Sequence, residues 1–100
     1  MKSGYKLVWS DRALGDLRNI IDYLTENWTQ KEIRTFAKKL DKRLEIIALN
    51  PRLFPQSKKR RNVRRSVLTK QTVIYYESIR DTVTLISLFD ARQAPSKLKL

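Results

Sequence analysis

Two stretches with helical periodicity that follow each other almost directly constrain the fold of this chain more than any other feature. Over residues 11–27 the apolar residues recur at every third or fourth position, as on one side of a helix: Ala13, Leu14, Leu17, Ile20, Ile21, Leu24 and the following Trp28. A second stripe covers residues 30–49: Ile33, Phe36, Ala37, Leu40, Leu44, Ile47 and Ala48. The intervening Asn27-Trp28-Thr29 is too short for anything but a reversal. The two helices are therefore predicted to pack as an antiparallel hairpin with facing stripes.

The ends of both helices carry recognisable signals. Ser10 offers its hydroxyl as an N-cap, and Asp11 follows in the first helical turn. Thr29 and Glu32 have the spacing of a capping box. The second stripe stops at Asn50-Pro51, where the residue before proline is disfavoured in a helix.

Short β-type segments surround this hairpin. Residues 5–9 read as an aromatic and β-branched strand, and residues 63–68, 72–77 and 82–89 read as three further strands with short connections. One hundred residues suffice for a single domain and are too few for two. The predicted fold class is thus α+β: an N-terminal strand, an antiparallel helical hairpin and a three-stranded antiparallel meander, forming one domain over residues 1–100.

The last two strands carry apolar side chains on both faces. In residues 72–77, Val73 and Tyr75 alternate with Ile74 and Tyr76. One face is expected to cover the helices. Because two helices cannot bury both sides of a sheet, we expect a partner segment to lie across the other face.

Positive charge is concentrated in the second half of the chain. The net charge is +12, and it divides as +3 for residues 1–50 and +9 for residues 51–100. Seven basic residues and no acid lie between Arg52 and Arg65, leading directly into a predicted strand. Such a field favours encounter with a polyanion. The alternative interpretation is a solvated basic loop.

The composition excludes much ordinary enzymology. The chain has no cysteine and no histidine, so it lacks thiolate nucleophiles and the commonest general base and metal ligand. Seven of its ten acids lie in the helical half, a poor supply for a two-metal nuclease. We expect no metal and no cofactor. No apolar run approaches the roughly 20 residues that span a bilayer, so we expect a cytoplasmic protein with no membrane partner.

The remaining side chains suit a substrate that already carries negative charge. RNA supplies its own nucleophile, because a 2′-hydroxyl can attack the adjacent phosphate once the strand is held in line. Arg64 and Arg65 could contact phosphate, although strand alternation keeps them on opposite faces. Tyr75 or Tyr76 could supply a stacking surface or a phenol, and Arg92 a further cation. Core packing is the competing explanation for both tyrosines.

Both ends of the chain also carry a family resemblance. The opening YKLVWSDRALGDLRNIIDYL and the closing VIYYESIRDTVTLISLFDARQAPSKL resemble the RelE/ParE superfamily of toxins from type II toxin-antitoxin systems, which includes plasmid stabilisation proteins. The closing segment is the more specific, with an aromatic strand, a polar turn, an aliphatic strand and then an aromatic followed by D-A-R-Q-x-P. The resemblance implies a growth-inhibiting toxin, wrapped by a cognate antitoxin in a hetero-oligomer.

Activity divides within this superfamily. RelE-like members cleave mRNA in the ribosomal A site, whereas ParE-like members poison DNA gyrase and are not nucleases. We favour ribosome-dependent, metal-independent mRNA cleavage, with DNA gyrase inhibition as the alternative and a noncatalytic nucleic-acid-binding module as a second one. The expected catalytic residues are Arg65, Tyr75 and Arg92, and those expected to bind RNA phosphates are Lys58, Lys59, Arg60, Arg61 and Arg64.

Three departures weaken the nuclease interpretation. One is the long helical hairpin, which resembles the ParE-like build as much as the RelE-like one. Phe89 is the aromatic residue near the end of the last strand, where many RNA-cleaving members have a histidine or tyrosine, and it cannot exchange a proton. The strand at residues 72–77 contains no arginine, although RelE-like sites commonly place one there. DNA gyrase inhibition therefore stays open at this point.

Overall fold

The computed structural model describes residues 4–60 and 62–90. In chain order its elements are β1 (Lys6–Trp9), α1 (Asp11–Asn27), α2 (Gln30–Leu49), a 3₁₀ turn (Pro51–Leu53), β2 (Val63–Val67), β3 (Thr72–Ile79) and β4 (Thr82–Asp90). Both helices have the predicted bounds. The α+β arrangement of a strand, a helical hairpin and an antiparallel meander is confirmed.

Side chains at the helix starts fix where the helices begin. The Ser10 hydroxyl accepts from the Ala13 amide at 3.0 Å and donates to the Ile86 carbonyl at 3.1 Å, so one residue caps α1 and fastens it to β4. At α2, Thr29 and Glu32 form the reciprocal bonds of a capping box. These bonds satisfy amides that a helix start otherwise leaves unpaired.

The sheet has the order β1-β4-β3-β2. β2, β3 and β4 are antiparallel neighbours, whereas β1 pairs with β4 in parallel and is connected to the rest of the sheet through the helical hairpin. Tyr75 is paired with Ser87 and Tyr76 with Leu85, which leaves Ile86 as an extra residue in β4. An extra residue of this kind is a β-bulge, and it bends its strand.

The first turns of α1 cover the part of the β4 edge that β1 does not reach. β1 covers β4 only as far as Leu85. Beyond that point the Asp16 carboxylate accepts from the Leu88 amide at 3.1 Å and from the Ser87 hydroxyl at 2.8 Å. An acidic side chain of α1 therefore satisfies a sheet edge that no strand covers.

The main core lies between the hairpin and one face of the sheet. Its most deeply buried members come from both layers: Ala13, Ile20, Leu24, Ile47, Ile74, Tyr76, Val83, Leu85 and Leu88. A smaller cluster on the opposite face joins Val63, Val73 and Tyr75, with Ile86 and Phe89 packed against it. Apolar packing on both faces agrees with the sequence. That a partner segment crosses the second face stays a prediction.

Candidate functional site

The basic segment before β2 is held against the edge of that strand. The Ser57 amide donates to the Val63 carbonyl at 2.6 Å, and the Arg65 amide donates to the Pro55 carbonyl at 2.9 Å. Gln56 forms a β-bridge with Arg64. The backbone of residues 55–57 therefore runs as a short extension of the sheet, and the lysines that follow it start from a fixed position.

Two arginines hold the beginning of this segment from the helix side. The Arg64 guanidinium donates to the Phe54 carbonyl at 2.7 Å. Arg43 of α2 lies over the Phe54 ring, 5.5 Å from its centroid, and donates to the Ser66 hydroxyl and the Val67 carbonyl at 2.8 and 2.7 Å. Arg64 is thus engaged by backbone on the face away from Arg65.

A groove of about 490 Å³ lies between this segment and the outer face of the sheet. Its lining brings together four of the predicted site residues, Lys58, Lys59, Arg65 and Tyr75, with Pro55, Gln56 and Ser57. Arg65 and Tyr75 are paired across β2 and β3. We call this the Arg65 groove.

The two neighbouring tyrosines have different environments. Tyr75 is 6% exposed, so it offers the Arg65 groove an edge while most of its ring packs with Val63 and Val73. Tyr76 is completely buried on the helix side, and its hydroxyl donates to the Pro51 carbonyl at 2.6 Å. Burial raises the pKa of Tyr76 to about 12, although the nearby Arg64 cation acts in the opposite direction. Tyr76 as a stacking surface, the alternative drawn from the sequence, is wrong because no part of its ring is accessible.

The remaining predicted cations either lie outside the lining of the Arg65 groove or fall outside the described residues. Arg60 is partly exposed, and its guanidinium lies 4.0 Å from the Glu77 carboxylate. A partly exposed pair at this distance contributes little stability. Arg61 and Arg92 fall outside the described residues, so their roles stay predictions.

The Arg65 groove can bind phosphate, but it offers little for proton transfer. Lysine and arginine side chains attract and orient phosphoryl oxygens. No carboxylate or imidazole is among the seven described residues that line the groove, and these are the usual groups that accept a proton from a hydroxyl. Within residues 4–60 and 62–90, the structure brings together no group of three potential metal ligands.

A second, larger groove was not anticipated from the sequence. It encloses about 690 Å³ between the helical hairpin and the turn from β2 to β3. Ile20, Leu24, Trp28 and Phe36 supply apolar lining, and three lysines surround them: Lys31, Lys39 and Lys70. Trp28 is 43% exposed. We call this the hairpin groove. A tryptophan at the open end of an apolar stripe was the one sequence signal for it.

Comparison with known proteins assigns the family. The sequence matches the family model described as the ParE toxin of the type II toxin-antitoxin system, parDE, over residues 7–95. The chain belongs to the ParE toxin family. This confirms the resemblance to RelE/ParE superfamily toxins. No match emerged from a search of curated proteins.

Solved structures share the fold of this ParE-family chain at low sequence identity. The chromosomal ParDE toxin-antitoxin system of P. aeruginosa matches with a TM-score of 0.74 and 11% identity, covering 86% of this chain and 95% of that one. The YoeB dimer of Staphylococcus aureus matches with a TM-score of 0.59 and 16% identity, covering 87% of this chain and 97% of that one. A copper-bound mutant toxin from Helicobacter pylori matches with a TM-score of 0.57 and 13% identity, covering 88% of this chain and 96% of that one. At these identities the likeness concerns the fold.

Among the described residues, neither α1 nor α2 combines the length and the apolarity that crossing a bilayer requires.

Proposed function

We propose that this chain is the growth-inhibiting toxin of a toxin-antitoxin pair and that it acts by binding and poisoning DNA gyrase without cleaving nucleic acid. The observation that carries the proposal is the match to the ParE toxin family over residues 7–95. Gyrase poisoning is the activity that the resemblance to ParE-like members implies. The sequence alone left gyrase poisoning and ribosome-dependent mRNA cleavage open, and the family match supports gyrase poisoning.

The Arg65 groove supports the same choice. Metal-free cleavage of RNA needs a group that takes the proton of the 2′-hydroxyl and another that protonates the leaving oxygen. The lining residues that the structure describes supply cations but neither carboxylate nor imidazole. Tyr75, the one phenol there, is 6% exposed and packs mostly within the outer cluster. Electrostatic attraction to phosphate is therefore better supported than chemistry on it.

Ribosome-dependent mRNA cleavage is the second candidate, and one observation favours it. Lys58, Lys59, Arg65 and Tyr75, all predicted for that activity, line a single groove. In this mechanism Arg65 would stabilise charge on the phosphoryl oxygens, and the two lysines would hold the flanking phosphates. A noncatalytic nucleic-acid-binding module would use the same cations without inhibiting growth.

The hairpin groove is where we place the antitoxin. Its apolar lining and three lysines against one acid, Glu32, suit an amphipathic segment that carries carboxylates. Such a segment would bury the half-exposed Trp28, and large aromatic residues are common binding anchors.

The deciding experiment assays both activities on the purified protein. Supercoiling by gyrase and mRNA integrity in programmed ribosomes are measured for the wild type, for Arg65→Ala and for the control Lys38→Ala, which replaces an exposed cation of α2. Gyrase inhibition with intact mRNA supports the proposal. Cleaved mRNA with unaffected gyrase would establish the second candidate, and Arg65→Ala should then slow cleavage about a hundredfold.

The antitoxin site has its own test. Lys39→Glu reverses a charge that lines the hairpin groove, whereas Lys42→Glu makes the same change at an exposed position of α2 outside that lining. Co-expressed antitoxin should relieve growth inhibition by the Lys42→Glu toxin better than by the Lys39→Glu toxin. Equal relief of both would contradict the placement.

A further inference from the structure

The turn between β3 and β4 holds an arginine in an unfavourable backbone conformation. Ile79 and Thr82 are paired, so Arg80 and Asp81 form a two-residue turn. Arg80 has a φ of 57°, and it is the one described non-glycine residue with positive φ. Glycine is favoured at such a position because a side chain there is strained. The sequence has an arginine at a position where glycine would be less strained.

Local structure does not explain this choice. Arg80 is exposed. Within the described part of the chain its guanidinium has no ion pair or side-chain hydrogen bond. The Asp81 carboxylate beside it accepts from the Thr82 hydroxyl at 3.1 Å. The positive φ closes the two-residue turn, but no contact among the described residues favours an arginine over a glycine there. Strained residues of this kind cluster at binding sites.

The surroundings of Arg80 have the composition of a protein interface. A groove of about 400 Å³ is lined by Arg80, Asp81, Leu49, Tyr5 and Gly4. Leu49 is 49% exposed, and Ile79, which precedes the arginine, is 61% exposed. Arginine and tyrosine beside exposed aliphatic side chains are enriched where proteins bind each other. We call these residues the turn surface: Ile79, Arg80, Asp81, Leu49, Tyr5 and Gly4.

We propose that the turn surface binds the protein target of this toxin, and that the target presents a carboxylate to Arg80 and apolar side chains to Leu49 and to Ile79, which lie on opposite sides of the turn. This inference rests on the proposed function, because it assumes a toxin that acts by binding a protein. Charge complementarity favours an acidic partner, since Arg80 is an exposed cation with no ion pair among the described residues and the whole chain has a net charge of +12. One arginine between aliphatic side chains fits a protein better than a phosphate backbone, which needs several cations.

The turn surface is separate from the Arg65 groove. Arg80 follows Tyr75 by five positions along β3 and its turn, which corresponds to about 16 Å along an extended strand. Substitutions at Arg80 can therefore be made without touching Arg65, Lys58 or Lys59.

The test uses Arg80→Gly, which removes the cation and relieves the backbone strain together. Growth inhibition on expression, inhibition of gyrase supercoiling and thermal unfolding are compared for the wild type, Arg80→Gly, Ile79→Ser and the control Lys38→Ala. We expect Arg80→Gly to unfold at the same or a higher temperature while its potency falls about tenfold. Ile79→Ser should lose potency as well, and Lys38→Ala should match the wild type.

The other outcomes separate this inference from the proposed function. If Arg80→Gly and Ile79→Ser inhibit growth as strongly as the wild type, the turn surface is not the target site, whatever the target is. Lost potency with a lower unfolding temperature for Arg80→Gly would make the arginine structural and overturn the inference. A parallel loss of affinity for an RNA or DNA oligonucleotide would also overturn it. If the wild type inhibits growth but not gyrase, the proposed target is wrong, and the growth assay still decides the role of Arg80.

Discussion

Arg65 and Tyr75 lie directly opposite each other in the β2–β3 ladder, and both line the groove beneath the basic segment. Because neighbouring residues of a strand point to opposite faces, the same register directs Arg64 and Tyr76 towards the helices. Arg65 and Tyr75 thus lie on the groove side of the sheet, and their chain neighbours Arg64 and Tyr76 lie on the helix side. The pairing separates the residues that can meet a phosphate from those that hold the fold.

Lys58 and Lys59 are expected to attract nucleic acid without specificity. Each phosphate contact that is lost should lower the slope of log affinity against log salt by about 0.7 for a single strand. We therefore expect Lys58→Ala and Lys59→Ala each to flatten the salt dependence of binding to a single-stranded RNA oligonucleotide. Fluorescence anisotropy over a salt series measures this slope. Lys38→Ala is the control, and slopes identical to the wild type in both lysine variants would contradict the role.

Asp16 is expected to stabilise the uncovered part of the β4 edge. Asp16→Ala leaves the Leu88 amide without the carboxylate that accepts it at 3.1 Å. An unpaired backbone donor costs about 1–3 kcal/mol, so the free energy of unfolding should fall by that amount. The Arg12–Asp16 pair at 3.8 Å is partly exposed and adds little. Urea denaturation measures the change. Asp22→Ala, an exposed position of the same helix, should have much less effect, and equal losses would contradict the interpretation.

Because Tyr76 is buried, we expect the free energy of unfolding to decrease at alkaline pH. Burial raises its pKa from 10.0 to about 12, so between these pH values the unfolded chain releases a proton that the folded chain retains. The contribution of Tyr76 to the free energy of unfolding is therefore fully present below pH 10. It decreases as the pH rises towards 12, by about 2–3 kcal/mol in total.

Tyr76→Phe tests this dependence. At neutral pH the variant should be less stable by about 1 kcal/mol, because the hydrogen bond to the Pro51 carbonyl is lost. Towards pH 11 the deficit should shrink and then reverse, since phenylalanine has no proton to release. Urea denaturation of both proteins at pH 8, 10 and 11 checks this. A constant difference across that range would show that Tyr76 does not carry the dependence.

Arg43 is expected to hold α2 against β2 and the basic segment. Arg43→Met keeps an aliphatic stem of similar length but removes the donors to the Ser66 hydroxyl and the Val67 carbonyl. We expect a loss of about 1–3 kcal/mol in the free energy of unfolding. Lys42→Met, at an exposed neighbouring position, should change it far less. Denaturation in urea compares the two, and similar losses would show that the contacts of Arg43 are unimportant.

The helices could be predicted from the sequence because their signals are local. Spacing of apolar residues, the caps at Ser10 and Thr29 and the stop at Pro51 all act within a few residues of chain. The meander was predictable for a similar reason, since short connections force neighbouring strands to run antiparallel. The parallel pairing of β1 with β4 was not, because these strands lie more than 70 residues apart and no local rule joins them.

The candidate site was predicted less completely. The concentration of cations near β2 and the alternation of Arg64 with Arg65 follow from residue order. That Lys58 and Lys59 share a groove with Arg65 and Tyr75 depends on hydrogen bonds from Ser57 to Val63 and from Arg65 to Pro55. The strained Arg80 was invisible in the sequence, because a φ angle depends on the length and pairing of the hairpin around it.

The sequence by itself determined the helices, the antiparallel meander, the positive charge and the family, because each of these depends on composition or on residues close together in the chain. The tertiary structure decided which face of the sheet the helices cover. That choice buries Tyr76 and occupies Arg64 with the backbone, while Arg65 is left beside the edge of Tyr75. Burial is a property of the whole packed chain, so it alone separates two adjacent arginines and two adjacent tyrosines that residue order cannot rank.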